Sequence, residues 1–263
     1  MRPRVLVSLA SFAVWATMAA SSMEAQSLAE RVAAVGTGAV TFHFTGRPGV
    51  CGDGEHFIRT GRSSYHGSFR TGRPMEPCIF GPVQVRLNLE DGNVFRVQSW
   101  VGPLRSREAS DLGAVPAPEA ARYLMTIAAS GRPSASAKAI FPAVLADSAV
   151  VWPALLTIAK DTDGRGSSTR RDALFWLSRF ASGAVGGHPN EPFDEDEAAS
   201  DDEELKTQAV FVLSQLKNGA GIPDLLDIGR SNRSPRVRSQ ALFWLGQSGD
   251  PRAIALFESI LRS

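Results

Sequence analysis

The chain has 263 residues, with 28 lysines and arginines against 27 aspartates and glutamates, a formal charge of +1. That length allows two modest domains, and a balance so near neutral gives no argument for nucleic acid as a partner. With two cysteines and four histidines, no ligand pair shows finger-like zinc spacing, and no metal or cofactor is implied.

Arg2 and Arg4 open the chain, Val5 to Ala20 carry no charge, and small residues follow through Ser22. This is the pattern of a secretory signal within residues 1–25, too short for a stable membrane span. Cleavage after Ala20, Ser22 or Ala25 would each leave a small residue at the cut. Residues 1–25 contain Arg2, Arg4 and Glu24, so their removal takes the formal charge from +1 to zero. The expectation is an exported protein, periplasmic or secreted.

Residues 26–112 read as a short helix followed by a β-rich module. Leu28 to Ala34 is the predicted amphipathic helix. Val40 to Phe44 alternates with period two, as do Val83–Leu89 and Val94–Trp100. Between the last two, Glu90-Asp91-Gly92-Asn93 is a compact hairpin signal. Val83, Val85, Leu87 and Leu89 are predicted on one face, with Gln84, Arg86 and Asn88 on the other. In an exported chain Cys51 and Cys78 form one disulfide. Gly49, Gly52 and Gly54 then mark turns pinned by it; no Gly-Lys-Ser/Thr follows to make a phosphate loop. Residues 46–107 carry nine arginines, no lysine and five acids, an excess of +4. Arginine in that number is either surface charge or a contact for an acidic protein, an anionic glycan or a membrane face.

Residues 113–263 change period. One eight-residue word starts at Ala173, Ala209 and Ala241, with spacings of 36 and 32 residues. Its copies are Ala-Leu-Phe-Trp-Leu-Ser-Arg-Phe, Ala-Val-Phe-Val-Leu-Ser-Gln-Leu and Ala-Leu-Phe-Trp-Leu-Gly-Gln-Ser. A weaker copy starts at Ala137. A basic residue stands three positions before each strong copy: Arg170, Lys206 and Arg238. Second echoes follow at Pro153, Pro223 and Pro251. Val237, Ala241, Leu242 and Leu245 share one helical face. Ser234-Pro235 and Asp250-Pro251 are helix starts. The unit is helix, turn, helix, and neighbouring units stack to bury their apolar stripes.

These features resemble the HEAT family of helical repeats, including the HEAT-like repeats of exported bacterial proteins, over roughly residues 117–262. The resemblance implies a short α-solenoid and a protein-binding role. The fold class is therefore α+β: a small disulfide-linked antiparallel β module followed by a HEAT-like array. Phe175, Trp176, Phe211, Phe243 and Trp244 read first as packing between layers, and second as an aromatic groove for a partner. Arg170, Lys206 and Arg238 are either solvated charges or a basic ladder. Those three, with Trp176 and Trp244, are the candidate partner-binding residues.

After the copy at Ala173 the second helix is missing. Residues 183–204 are instead predicted as a solvated acidic loop, its last acids reaching into the first turn of the next helix. Its spacing lacks the order of a calcium loop. Candidate catalytic groups are His43, His56, His66, Asp53 and Ser63 or Ser64, all in the β module. None stands in a recognised catalytic spacing. The functional expectation is a non-catalytic protein-interaction or scaffolding module of the bacterial cell envelope. Two alternatives remain: an envelope hydrolase or transferase with its site in the β module, or a binder of an anionic glycan or membrane surface through the Arg-rich region.

Overall fold

A computed structural model describes residues 26–60, 64–67, 77–162, 166–187 and 201–263. The predicted signal segment, Ser63 and residues 188–200 of the acidic segment lie outside them.

The first helix, α1 (Leu28–Ala33), starts at a capping box. Glu30 N–H donates to the Ser27 hydroxyl while the Ser27 N–H donates to the Glu30 carboxylate at 2.8 Å. Among the described residues eight strands follow: β1 (Gly38–Phe44), β2 (Val50–Gly52), β3 (Phe57–Thr60), β4 (Ser64–Gly67), β5 (Ile79–Phe80), β6 (Val83–Glu90), β7 (Asn93–Val101) and β8 (Ser110–Ala114). They form two four-stranded sheets, ordered β7-β6-β1-β8 and β4-β3-β2-β5. The predicted hairpin is present: Glu90 pairs with Asn93, and Asp91 and Gly92 both take positive φ, 50° and 75°, as a tight hairpin turn requires. Cys51 on β2 is joined to Cys78 just before β5.

The module departs from the antiparallel expectation at one edge. β8 pairs with β1 in parallel. After β7 the chain crosses the sheet to reach its opposite edge, and so enters running in the direction of β1. The crossing also explains Gln84. Placed on the polar face by its alternation, it is buried instead, because its amide meets the crossing loop. Gln84 donates to the Pro103 carbonyl at 2.9 Å and accepts the Arg105 N–H at 3.1 Å.

The helices are α2 (Ala117–Ala129), α3 (Pro133–Leu145), α4 (Trp152–Lys160), α5 (Ser167–Val185), α6 (Asp201–Ser214), α7 (Ile222–Ser231), α8 (Pro235–Ser248) and α9 (Pro251–Arg262). Ser234 and Asp250 cap α8 and α9 ahead of Pro235 and Pro251, and Gly249 ends α8 in the left-handed region at φ 69°. The helices reach into both ends of the predicted acidic loop. Gly183, Ala184 and Val185 complete the last turn of α5, with Gly183 buried, because an uncharged stretch extends that helix. Asp201 to Glu204 form the first turn of α6, where the helix dipole favours acids.

The two parts share one continuous hydrophobic core. α3 packs on β6 and β7, α1 on α2. Arg47, in the loop after β1, joins the parts most directly. It is only 7% exposed. Its backbone N–H donates to the Leu145 carbonyl at 2.8 Å and its guanidinium to the carbonyls of Val144 and Ala149. These lie in and beyond the last turn of α3, where a helix leaves acceptors unfilled and favours a cation.

The helices make two rows, and the order is not that of the chain. One row runs α3, α5, α8, α6; the other runs α4, α9, α7. The last unit, α8 with α9, therefore stands between α5 and the unit formed by α6 and α7. Gly246 makes this order possible. A Cβ at that position would lie 2.6 Å from the Ser178 Cβ and 3.1 Å from the Leu174 carbonyl oxygen, so α8 lies backbone-close on α5. In the other strong copies the equivalent residues are Ser178 and Ser214.

Candidate protein-binding surface

The Phe-Trp words converge on one row of rings. Trp176 stacks on Phe141 with centroids 5.7 Å apart, and meets Phe175 edge-on at 5.0 Å. Phe175 meets Phe243 at 6.3 Å, Phe243 meets Trp244 at 5.1 Å, and Trp244 meets Phe211 at 5.3 Å. The rings thus cross α3, α5, α8 and α6 in their spatial order. Such edge-to-face and offset contacts each contribute about 0.5–1.5 kcal/mol beyond burial. Exposure rises along the row. Trp176 is buried; Phe175, Phe243 and Trp244 are half-buried; Phe211 is 47% exposed. The two readings of these aromatics apply to different ends: layer packing at Trp176, open surface at Phe211. The Trp244 indole N–H is buried and meets no acceptor among the described residues. An unfilled buried donor of this kind costs about 1–3 kcal/mol.

The recurring basic position has a local partner in two copies. Arg170 on α5 donates to the Ala159 carbonyl at 2.9 Å, near the end of α4. Arg238 on α8 donates to the Gly229 carbonyl at 3.3 Å, near the end of α7. Each guanidinium fills an acceptor at the C-terminus of the preceding helix, where a cation is favoured. This repeated bond explains why a base stands three residues before the word. Lys206 occupies the same position on α6, exposed, with no described helix directly before it.

In the β module the structure unites two of the candidate catalytic groups. The buried Asp53 carboxylate accepts the N–H groups of Glu55, His56 and Phe57 at 2.9, 2.8 and 3.1 Å, and meets His56 Nδ1 at 2.9 Å. Burial alone would raise its pKa; the backbone donors and the imidazole outweigh that and lower it to about 2. Such a carboxylate holds a turn and is a weak base. His43 stands elsewhere, on β1 opposite Gln84. Ser64 and His66 lie on β4, paired with Thr60 and Ile58. Among the described residues no three histidines, cysteines or acids converge to hold a metal ion.

A guanidinium cluster lies across the module's polar face. Arg107 stacks on Trp100 at 3.4 Å and donates to the Gly54 carbonyl. Arg105 pairs with Glu55 at 3.3 Å. Burial lowers the Arg107 pKa, as do the Arg105 and Arg86 charges, while Glu55 opposes them. The Nε atoms of Arg59, Arg86 and Arg107 are buried without a hydrogen-bond partner among the described residues.

The profile of the PBS lyase HEAT-like repeat matches residues 237–263, which span most of α8 and all of α9. This segment is a HEAT-like repeat. No curated protein and no solved structure matches the chain. The HEAT-like repeat is the unit set between α5 and α6, so it carries the middle of the aromatic row. Repeats of this kind generally serve protein interaction. No described helix is long and apolar enough to cross a membrane.

Two features of this surface were missed in the sequence. The layer order leaves one signal, the glycine that replaces serine at the sixth position of the word in α8. The exposed apolar stripe on α6 had a plainer one: Leu205, Ala209, Val212 and Leu216 recur at helical spacing.

Proposed function

We propose that this chain is a non-catalytic protein-binding or scaffolding module of the bacterial cell envelope, engaging a protein partner through its helical-repeat surface. The observation that carries this reading is the aromatic row, which ends on the surface at the exposed ring of Phe211, packed against Trp244. A partner supplying an apolar side chain there would cover the exposed ring, the anatomy of an interface hot spot. The Cys51–Cys78 disulfide supports an oxidising compartment. Crosslinking in the native envelope followed by mass spectrometry should recover one recurrent protein. Phe211→Asp should deplete that protein about tenfold, the effect of losing one anchor, without altering the circular dichroism spectrum. Repeated recovery of no protein, or equal capture by the variant, would count against the reading.

A second reading is favoured by the guanidinium cluster at Arg86, Arg105 and Arg107. Arg107 stacks on Trp100 with the Arg86 and Arg105 charges close enough to act on it, and three like charges together suit an anionic group on a glycan or membrane surface. It predicts retention on an anionic matrix that weakens as salt rises and falls in an Arg86→Gln/Arg107→Gln double variant. Retention indifferent to both would exclude it.

A further inference from the structure

We propose that α6 pairs antiparallel with α6 of a second copy of this chain, through Leu205, Ala209, Val212 and Leu216. The inference goes beyond the recognition of another protein and uses different side chains from Phe211.

Position in the array favours this contact. α6 ends its row, and a stacked array normally closes with a polar outer layer. Here Leu205 is 66%, Val212 59% and Leu216 44% exposed, and Ala209 is exposed as well. Val212 occupies the fourth place of the repeated word. The same place holds Trp176, which stacks on Phe141 of the adjoining layer. Among the described residues, the surface that joins layers inside the array is therefore uncovered at its end.

The stripe is also symmetric. The steps from Leu205 to Ala209, Val212 and Leu216 are four, three and four residues, a spacing that reads the same in both directions. A two-fold axis across the middle of α6 sets Leu205 against Leu216 of the second copy, and Ala209 against its Val212. Each small residue faces a larger one, and the contact is self-complementary as a two-fold interface must be. Leu216 lies in the turn just past the helix, its N–H bonded to the Leu213 carbonyl, so the stripe continues to that point.

Charge sets the direction of the pairing. Glu204 lies exposed in the first turn of α6, while Glu203 accepts the Ser234 hydroxyl at the start of α8, and Lys217 follows Leu216. An antiparallel neighbour brings the acidic start of one helix beside the Lys217 of the other, at both ends. A parallel neighbour would set acid against acid and lysine against lysine.

Sedimentation velocity on the purified chain is expected to show a monomer–dimer equilibrium. Leu205→Glu with Val212→Glu should abolish the dimer and leave the fold intact, because both positions face solvent. Lys217→Glu should weaken it roughly tenfold, for two exposed ion pairs lost by symmetry. Mixed chains carrying Leu205→Cys and Leu216→Cys should form a disulfide between unlike copies, while Leu205→Cys alone should not. A chain monomeric at every concentration, a dimer untouched by the two glutamates, or a stripe covered instead by a different protein would overturn the proposal. So would efficient crosslinking of Leu205→Cys to itself, which requires parallel helices. The two glutamates should leave partner capture at Phe211 unchanged, so the two readings fail separately.

Discussion

Gly246→Leu is expected to destabilise the chain by roughly 3 kcal/mol, at the severe end of overpacking effects. Even a single added carbon at Gly246 would stand 2.6 Å from the Ser178 Cβ and 2.7 Å from its hydroxyl. Ser178 cannot swing away without loss, since its hydroxyl is buried and donates to the Phe175 carbonyl at 2.7 Å. The leucine must therefore push α8 off α5. That separation strips apolar cover from Leu174, Leu177, Leu242 and Leu245, all buried. It also opens the Phe175–Phe243 contact that links the halves of the aromatic row. Urea unfolding monitored by tryptophan fluorescence measures the loss. A companion pair locates it: Gly246→Ala should be partly rescued by Ser178→Gly, because the second change clears the space the first needs. Full stability in Gly246→Leu would mean that α8 does not lie against α5 and that the layer order is wrong.

The second large effect concerns the disulfide. Replacing Cys51 and Cys78 together by alanine is expected to cost about 3–4 kcal/mol by the chain-entropy estimate for this loop, whose ends are 27 residues apart. The second sheet depends on it more than the first does. Its strands are short: β2 has three residues, β3 and β4 four each, and β5 two. A ladder of that size buries little on its own. The covalent tie holds β5 to β2 where hydrogen bonding alone is slight. Denaturant unfolding of the variant should show a lower midpoint, and reductant should move the wild-type midpoint to the same place. No shift in either case would show that the short sheet does not depend on the bond.

Much of the local structure was legible because it rests on local chemistry. The hairpin at Asp91-Gly92, the capped starts of α8 and α9 and the repeated word as helix all follow from side chains within a few residues of one another. The Cys51–Cys78 pair followed from number and setting. Where the reading fell short, the deciding contact was distant in sequence. Gln84 is buried because a loop ending on another strand crosses over it. Arg47 counted as one arginine of a surface excess, yet it fills the end of α3 nearly a hundred residues away. Arg170 and Arg238 were visible as a repeated position, while the helix-end carbonyls they bind were not.

The candidate surface divides the same way. The rings of the Phe-Trp words were in view from the start, with no means to say which would be covered. Exposure of Phe211 and burial of Trp176 follow from their layers, α6 at the end of the row and α5 within it.

The sequence by itself determined the strands β1, β6 and β7, the capped starts of α8 and α9, and that the repeated helices are near-copies needing one another's apolar sides; the short strands β2 to β5 and β8 carry no such local pattern. Hydrogen-bond period, capping and amphipathic spacing are properties of neighbouring residues. Only the tertiary structure decided which copy lies beside which. Near-identical helix faces differ little in the partners they accept, so the order turns on a close approach between Gly246 and Ser178, residues far apart in the chain. That order leaves α6 at the edge, with an apolar stripe that local pattern alone would have assigned to a core.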